Sequence, residues 1–192
     1  MNKNDLKIYI LLSILPLIYL TNTLEIAIFI GLVYVLLALI LFAAGLLINK
    51  FSEGRLRLYS YIILAGAIIT STMFILNTYF TLNQFIGIYL SITLLLLPKF
   101  TGDKFKDISI TNQLFMVVTG FITLIVIGLL REVLATGALS LPNFGVDSLE
   151  LFDSKYAITI LKDNSGGFIL SGFIFAIIYA ISFNKEDNVD VI

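Results

Sequence analysis

The sequence predicts an all-α integral membrane fold: a six-segment inverted repeat of three helices plus three, in which segments 1 and 4 are short and broken. Three observations carry that prediction. Hydrophobic residues make up 59% of the 192-residue chain and charged residues only 13%, with a mean hydropathy of +1.02. A water-soluble domain of this length has no interior large enough for so much apolar surface. The charges are gathered into short stretches, which leaves uncharged runs such as Leu58 to Pro98 and Ile108 to Leu130. Those runs fall into two sets of three, and a short one leads each set.

Segment 1, Ile8 to Leu20, has 13 residues and contains Pro16. A helix needs roughly 20 apolar residues to cross the hydrocarbon core, and a run this short reads as a broken or re-entrant piece. Lys3 and Lys7 precede it as an n-region precedes a signal-peptide core, but no A-x-A-type site stands near Leu20, and the segment is read as retained. After the break Thr21-Asn22-Thr23 come segment 2, Ile26 to Ile48, and segment 3, Leu58 to Leu76, divided by the charged stretch Asn49 to Arg57. Segment 4, Phe85 to Leu97, is again 13 residues and ends at Pro98. Segment 5 runs from Leu114 to Leu130 and segment 6 from Phe168 to Phe183, with a long polar stretch, Arg131 to Gly167, between them. The chain is thus a single transmembrane domain with halves of about 1–80 and 81–192. An odd number of spans in each half gives the halves opposite topology. Paired short segments in matching positions point to a site where broken helices meet near the midplane.

Orientation follows from the basic residues. With the N-terminus inside, nine (Lys3, Lys7, Lys50, Arg55, Arg57, Lys99, Lys104, Lys106 and Lys185) lie on the inner side, against Arg131, Lys155 and Lys162 outside. That asymmetry places both termini in the cytoplasm and the chain, multi-pass, in the cell membrane. A formal net charge of −1 points to no nucleic-acid partner.

The chain contains no Cys and no His, and so lacks the thiolate and imidazole that hold most redox metals. Neither a phosphate-binding glycine loop nor a nucleophile paired with a base occurs. Glu25, Arg131 and Glu132 fall at segment ends on the outer side and read as solvated or interfacial, with a role at a pathway mouth as the alternative. Ser71, Thr72, Thr119 and Thr123 read as polar packing positions between helices. Thr136-Gly137-Ala138 reads as a glycine turn.

Several short motifs occur in one order along the chain. Leu15-Pro16-Leu17 precedes Thr21-Asn22-Thr23; Gly54-Arg55-Leu56-Arg57 leads into Tyr61-Ile62-Ile63; Leu76-Asn77-Thr78-Tyr79 is followed by Gly87-Ile88-Tyr89. Leu130-Arg131-Glu132-Val133-Leu134 comes next, with Gly137 and Leu139 after it, and Gly166-Gly167-Phe168-Ile169 opens the last span. In these stretches the chain resembles the small six-helix membrane subunits of the Rnf and Nqr ion-translocating electron-transport complexes, closest to the RnfE/NqrD type and related to the RnfA/NqrE type. The most specific likeness is to that family's L-R-E-I-L-G-x-G-x-L.

The resemblance implies a subunit of a membrane oxidoreductase and translocase, not catalytic alone, packed against a homologous membrane subunit of inverted topology and further redox subunits. The motif-matched positions are Pro16, Thr21, Asn22, Thr23, Asn77, Arg131, Glu132, Gly137 and Gly166. The family's paired subunits contribute cysteines from their broken helices to an intramembrane iron–sulfur cluster. Here Leu15 and Leu97 stand where those cysteines belong, so this chain is expected to ligate no metal, with an iron–sulfur cluster or a flavin present only through partner subunits. A free-standing inverted-repeat transporter or channel, or a purely structural assembly subunit, is the alternative.

Overall fold

The structure, a computed structural model, describes residues 14–51, 54–79, 85–95 and 110–186. Residues 14–18 form the described part of α1, which ends in a turn at Tyr19 and Leu20. The long helices α2 (Leu24–Phe51) and α3 (Gly54–Tyr79) follow, then the short α4 (Phe85–Leu95), α5 (Ile110–Thr136) and α6 (Asn164–Glu186). Among the described residues, three helical stretches, Leu24–Ile48, Leu56–Thr78 and Gln113–Thr136, are long and apolar enough to cross a membrane. This is the pattern of a multi-pass, predominantly helical membrane protein.

Local chemistry sets the ends of α2. Thr23 accepts a hydrogen bond from the Ile26 N–H at 3.3 Å, which satisfies one of the donors a helix start leaves open. Glu25 in the first turn and Lys50 in the last both complement the helix dipole.

The chain departs from a purely helical fold between α5 and α6. There β1 (Ala138–Leu141) and β2 (Val146–Glu150) form an antiparallel hairpin with Leu139 opposite Leu149, followed by 3-10 turns at Ser154–Tyr156 and Thr159–Lys162. The stretch has no helical periodicity, and the Pro142-Asn143-Phe144-Gly145 reversal, with Gly145 at φ 72°, breaks it in two. Gly137, at φ 75°, ends α5 as the turn residue expected there. Helix α5 itself runs six residues beyond Leu130, so Arg131 and Glu132 belong to the helix, not to the loop that follows.

Small residues bring α2 and α5 together as antiparallel neighbours. A Cβ on Gly128 would sit 2.5 Å from the Ala27 Cβ, and one on Gly31 would sit 2.6 Å from the Phe121 ring. Helices α1 and α5 share a direction, because Ile14 lies against Gly120 whereas the carbonyls of Ile18 and Thr21 reach Arg131. The end of α1, the start of α2, the end of α5, the hairpin and the start of α6 therefore meet at one end of the bundle. The hydroxyls of Ser71, Thr72 and Thr123 bond back to carbonyls of their own helices, at Ala67, Ile68 and Thr119.

Candidate functional site

Two adjacent charges organise the hairpin end. Arg131 is fully buried and Glu132 is 3% exposed, so neither is the solvated helix end that its place in the sequence suggests. Arg131 lies six or seven residues past the middle of the Gln113–Thr136 span. At 1.5 Å per residue that is roughly 10 Å from the middle, inside the ~15 Å half-thickness of a hydrocarbon core. A charge at that depth is costly unless it is fully hydrogen-bonded.

The Arg131 guanidinium meets that condition with backbone oxygens. Its Nε donates to the Leu161 carbonyl at 2.8 Å. Its Nη1 donates to the carbonyls of Ile18 at 3.2 Å and Thr21 at 3.0 Å. Its Nη2 donates to those of Lys162 at 3.3 Å and Asp163 at 2.5 Å. The five donors of the fork are thus spread over two separate pieces of chain, the end of α1 and the turn before α6. The Ile18 carbonyl also accepts from the Thr21 N–H and hydroxyl, and the positive charge suits the negative end of the α1 dipole.

Glu132, one residue on and so about 100° around the helix, serves two other pieces. Its Oε2 accepts from the Leu24 N–H at 2.7 Å, at the start of α2. Its Oε1 accepts from the Ser140 N–H at 2.9 Å and the Ser140 hydroxyl at 3.0 Å, on β1. Glu25 adds a second tie to the hairpin by accepting from the Asn143 N–H at 3.2 Å.

Two glycines make room. A Cβ on Gly167 would stand 2.9 Å from Arg131 Nη1 and 3.0 Å from the Ile18 carbonyl, and one on Gly166 would meet the Leu161 Cα at 2.5 Å. Beside the junction opens a cleft of about 710 Å³ lined by Asn22, Thr23, Glu132, Ser140, Lys162 and Asp163, among others. Asn22 Oδ1 is buried with no hydrogen-bond partner among the described residues.

Of the positions singled out in the sequence, Thr21, Asn22, Thr23, Arg131, Glu132, Gly137 and Gly166 come together here. Asn77 takes part in none of these bonds and is exposed near the end of α3. Pro16 and Leu15 are half-buried in α1, while Leu97 and Pro98 lie outside the described residues. Sequence reasoning missed Ser140 and the carbonyls of Leu161, Lys162 and Asp163. Backbone acceptors leave no trace in residue type, and only the neighbouring Gly166-Gly167 pair hints at a close approach.

An iron–sulfur cluster does not fit the donor set. The chain has no thiolate and no imidazole, and Leu15 offers only methyl groups. Among the described residues no three Asp or Glu side chains gather as a substitute. No protein-family model and no curated protein matches the chain.

Proposed function

We propose that this chain is a membrane subunit of an Rnf/Nqr-type ion-translocating electron-transport complex, and a variant that supplies no ligand to an iron–sulfur cluster. The observation that carries the reading is the Arg131-Glu132 pair. The two charges of the motif most specific to the resemblance are buried together and tie four parts of the chain into one junction. A 3+3 inverted repeat is part of the proposal, supported by contact between the two short segments: the rings of Tyr19, just after α1, and Tyr89, on α4, are 5.1 Å apart. Both termini are placed in the cytoplasm on the basic-residue asymmetry.

In this reading the chain holds the membrane part of the assembly together, and any electron crosses on an iron–sulfur cluster or flavin held by partner subunits. Deleting the chain from its host should remove a flavin-carrying membrane complex from native gels, and the wild-type chain should restore it. An intact complex in the deletion strain would overturn the proposal. The cleft of about 710 Å³ at the junction favours a second reading, a free-standing transporter. Ion flux through vesicles holding the chain alone, with the flavin complex unaffected, would select it.

A further inference from the structure

The segment between the hairpin and α6 carries more exposed apolar surface than a loop in water needs. Tyr156 is 73% exposed, Ile158 50% and Ile160 57%. Single exposed apolar residues are ordinary on any surface, but a contiguous set marks an interaction.

Backbone bonds fix its depth. The Ile158 N–H donates to the Leu134 carbonyl at 2.8 Å, and Arg131 holds the carbonyls of Leu161, Lys162 and Asp163. Leu134 lies nine or ten residues past the middle of its span. At 1.5 Å per residue that is roughly 14 Å, the depth at which hydrocarbon gives way to headgroups. With α5 along the membrane normal, these bonds would hold the segment near that boundary.

It is also continuous with exposed apolar surface on α6. The Ile160 and Leu161 backbone lies against Gly166, three residues before Ile169 on the same face of α6. Down that face Ile169, Phe173 and Ile177 recur every four residues, all exposed. Lys155 and Lys162, both exposed, flank the apolar residues, and long stems of this kind let ammonium groups reach lipid phosphates. A tyrosine, apolar side chains below it and lysines beside it make the composition of an interfacial anchor.

We propose that residues 154–162 lie in the headgroup region of the leaflet at the hairpin end, with Tyr156, Ile158 and Ile160 in contact with lipid. The proposal rests on the membrane-crossing helices and not on the subunit reading. Because the chain contains no cysteine, single cysteines can carry an environment-sensitive fluorophore without further engineering. Ile160→Cys and Tyr156→Cys are compared with Asp147→Cys on β2, each in nanodiscs of phosphatidylethanolamine and phosphatidylglycerol. Brominated acyl chains should quench the labels at 160 and 156 severalfold more than the label at 147, and aqueous iodide should quench them severalfold less. Iodide quenching at 160 and 156 equal to that at 147 would overturn the proposal. Shielding from both quenchers would overturn it too, since protein and not lipid would then cover the segment. The two labelled sites are independent, so one misfolded variant leaves the other decisive.

Discussion

At the residue scale, Arg131 is the side chain on which the hairpin end depends. Removing it takes a donor from five carbonyls; those of Ile18 and Asp163 still accept from Thr21 and Gly166, and each group left unsatisfied costs about 1–3 kcal/mol. Arg131→Ala is predicted to cost at least about 3 kcal/mol, read as a lowered unfolding midpoint in detergent. Arg131→Lys keeps the charge but loses the planar fork that spans two chain pieces, so it should recover only part of that loss. If Arg131→Ala unfolds at the wild-type midpoint, the five bonds carry no stability. Gly167 tests the same site sterically. Gly167→Ala sets a methyl 2.9 Å from Nη1 and should cost about 1–3 kcal/mol, whereas Gly172→Ala, with nothing within 4 Å, should not destabilise. The charges of Arg131 and Glu132 were legible in the sequence; their burial was not. Burial came from α5 continuing beyond Leu130, and from partners up to 113 residues away along the chain.

At the scale of elements, the long helices were legible because uncharged runs mark them directly. The Thr23 cap, Glu25 in the first turn and Lys50 in the last, which set the ends of α2, emerge from the structure. The hairpin was not legible. Its exposed strand β2 has no buried face to impose alternation, and its register depends on Glu132 and Glu25, which belong to other elements. Helix pairing is set by small residues, so the α2 and α5 contact should be the one most sensitive to added volume. Gly128→Ala drives a methyl to 2.5 Å from the Ala27 Cβ and is predicted to destabilise by about 1–3 kcal/mol. Gly66→Ala on α3 meets nothing within 4 Å and should be neutral or stabilise by up to about 1 kcal/mol through helix propensity. Equal midpoints for the two variants would mean that α2 and α5 are not packed at Gly128.

At the scale of the whole molecule, the opposed directions of α2 and α5 and the shared direction of α1 and α5 agree with a chain that crosses back and forth. They put the connection at 21–23 and the loop at 137–163 on one side. If that side faces away from the cytoplasm, cysteines at Asn2 and Asn188 should resist a membrane-impermeant thiol reagent in intact cells, while one at Asp147 should react. Labelling at 2 and 188 with none at 147 would invert the orientation. The membrane character was legible from composition alone, whereas the expectation that Leu15 and Leu97 stand in place of cluster cysteines comes only from the resemblance. Membership of a redox assembly is tested most directly by native mass spectrometry of whatever a tag on this chain draws from its own membranes. The expected spectrum shows the chain bound to at least one other multi-pass subunit, in a particle that also carries flavin. A spectrum of the chain alone, or of copies of itself without flavin, would contradict it.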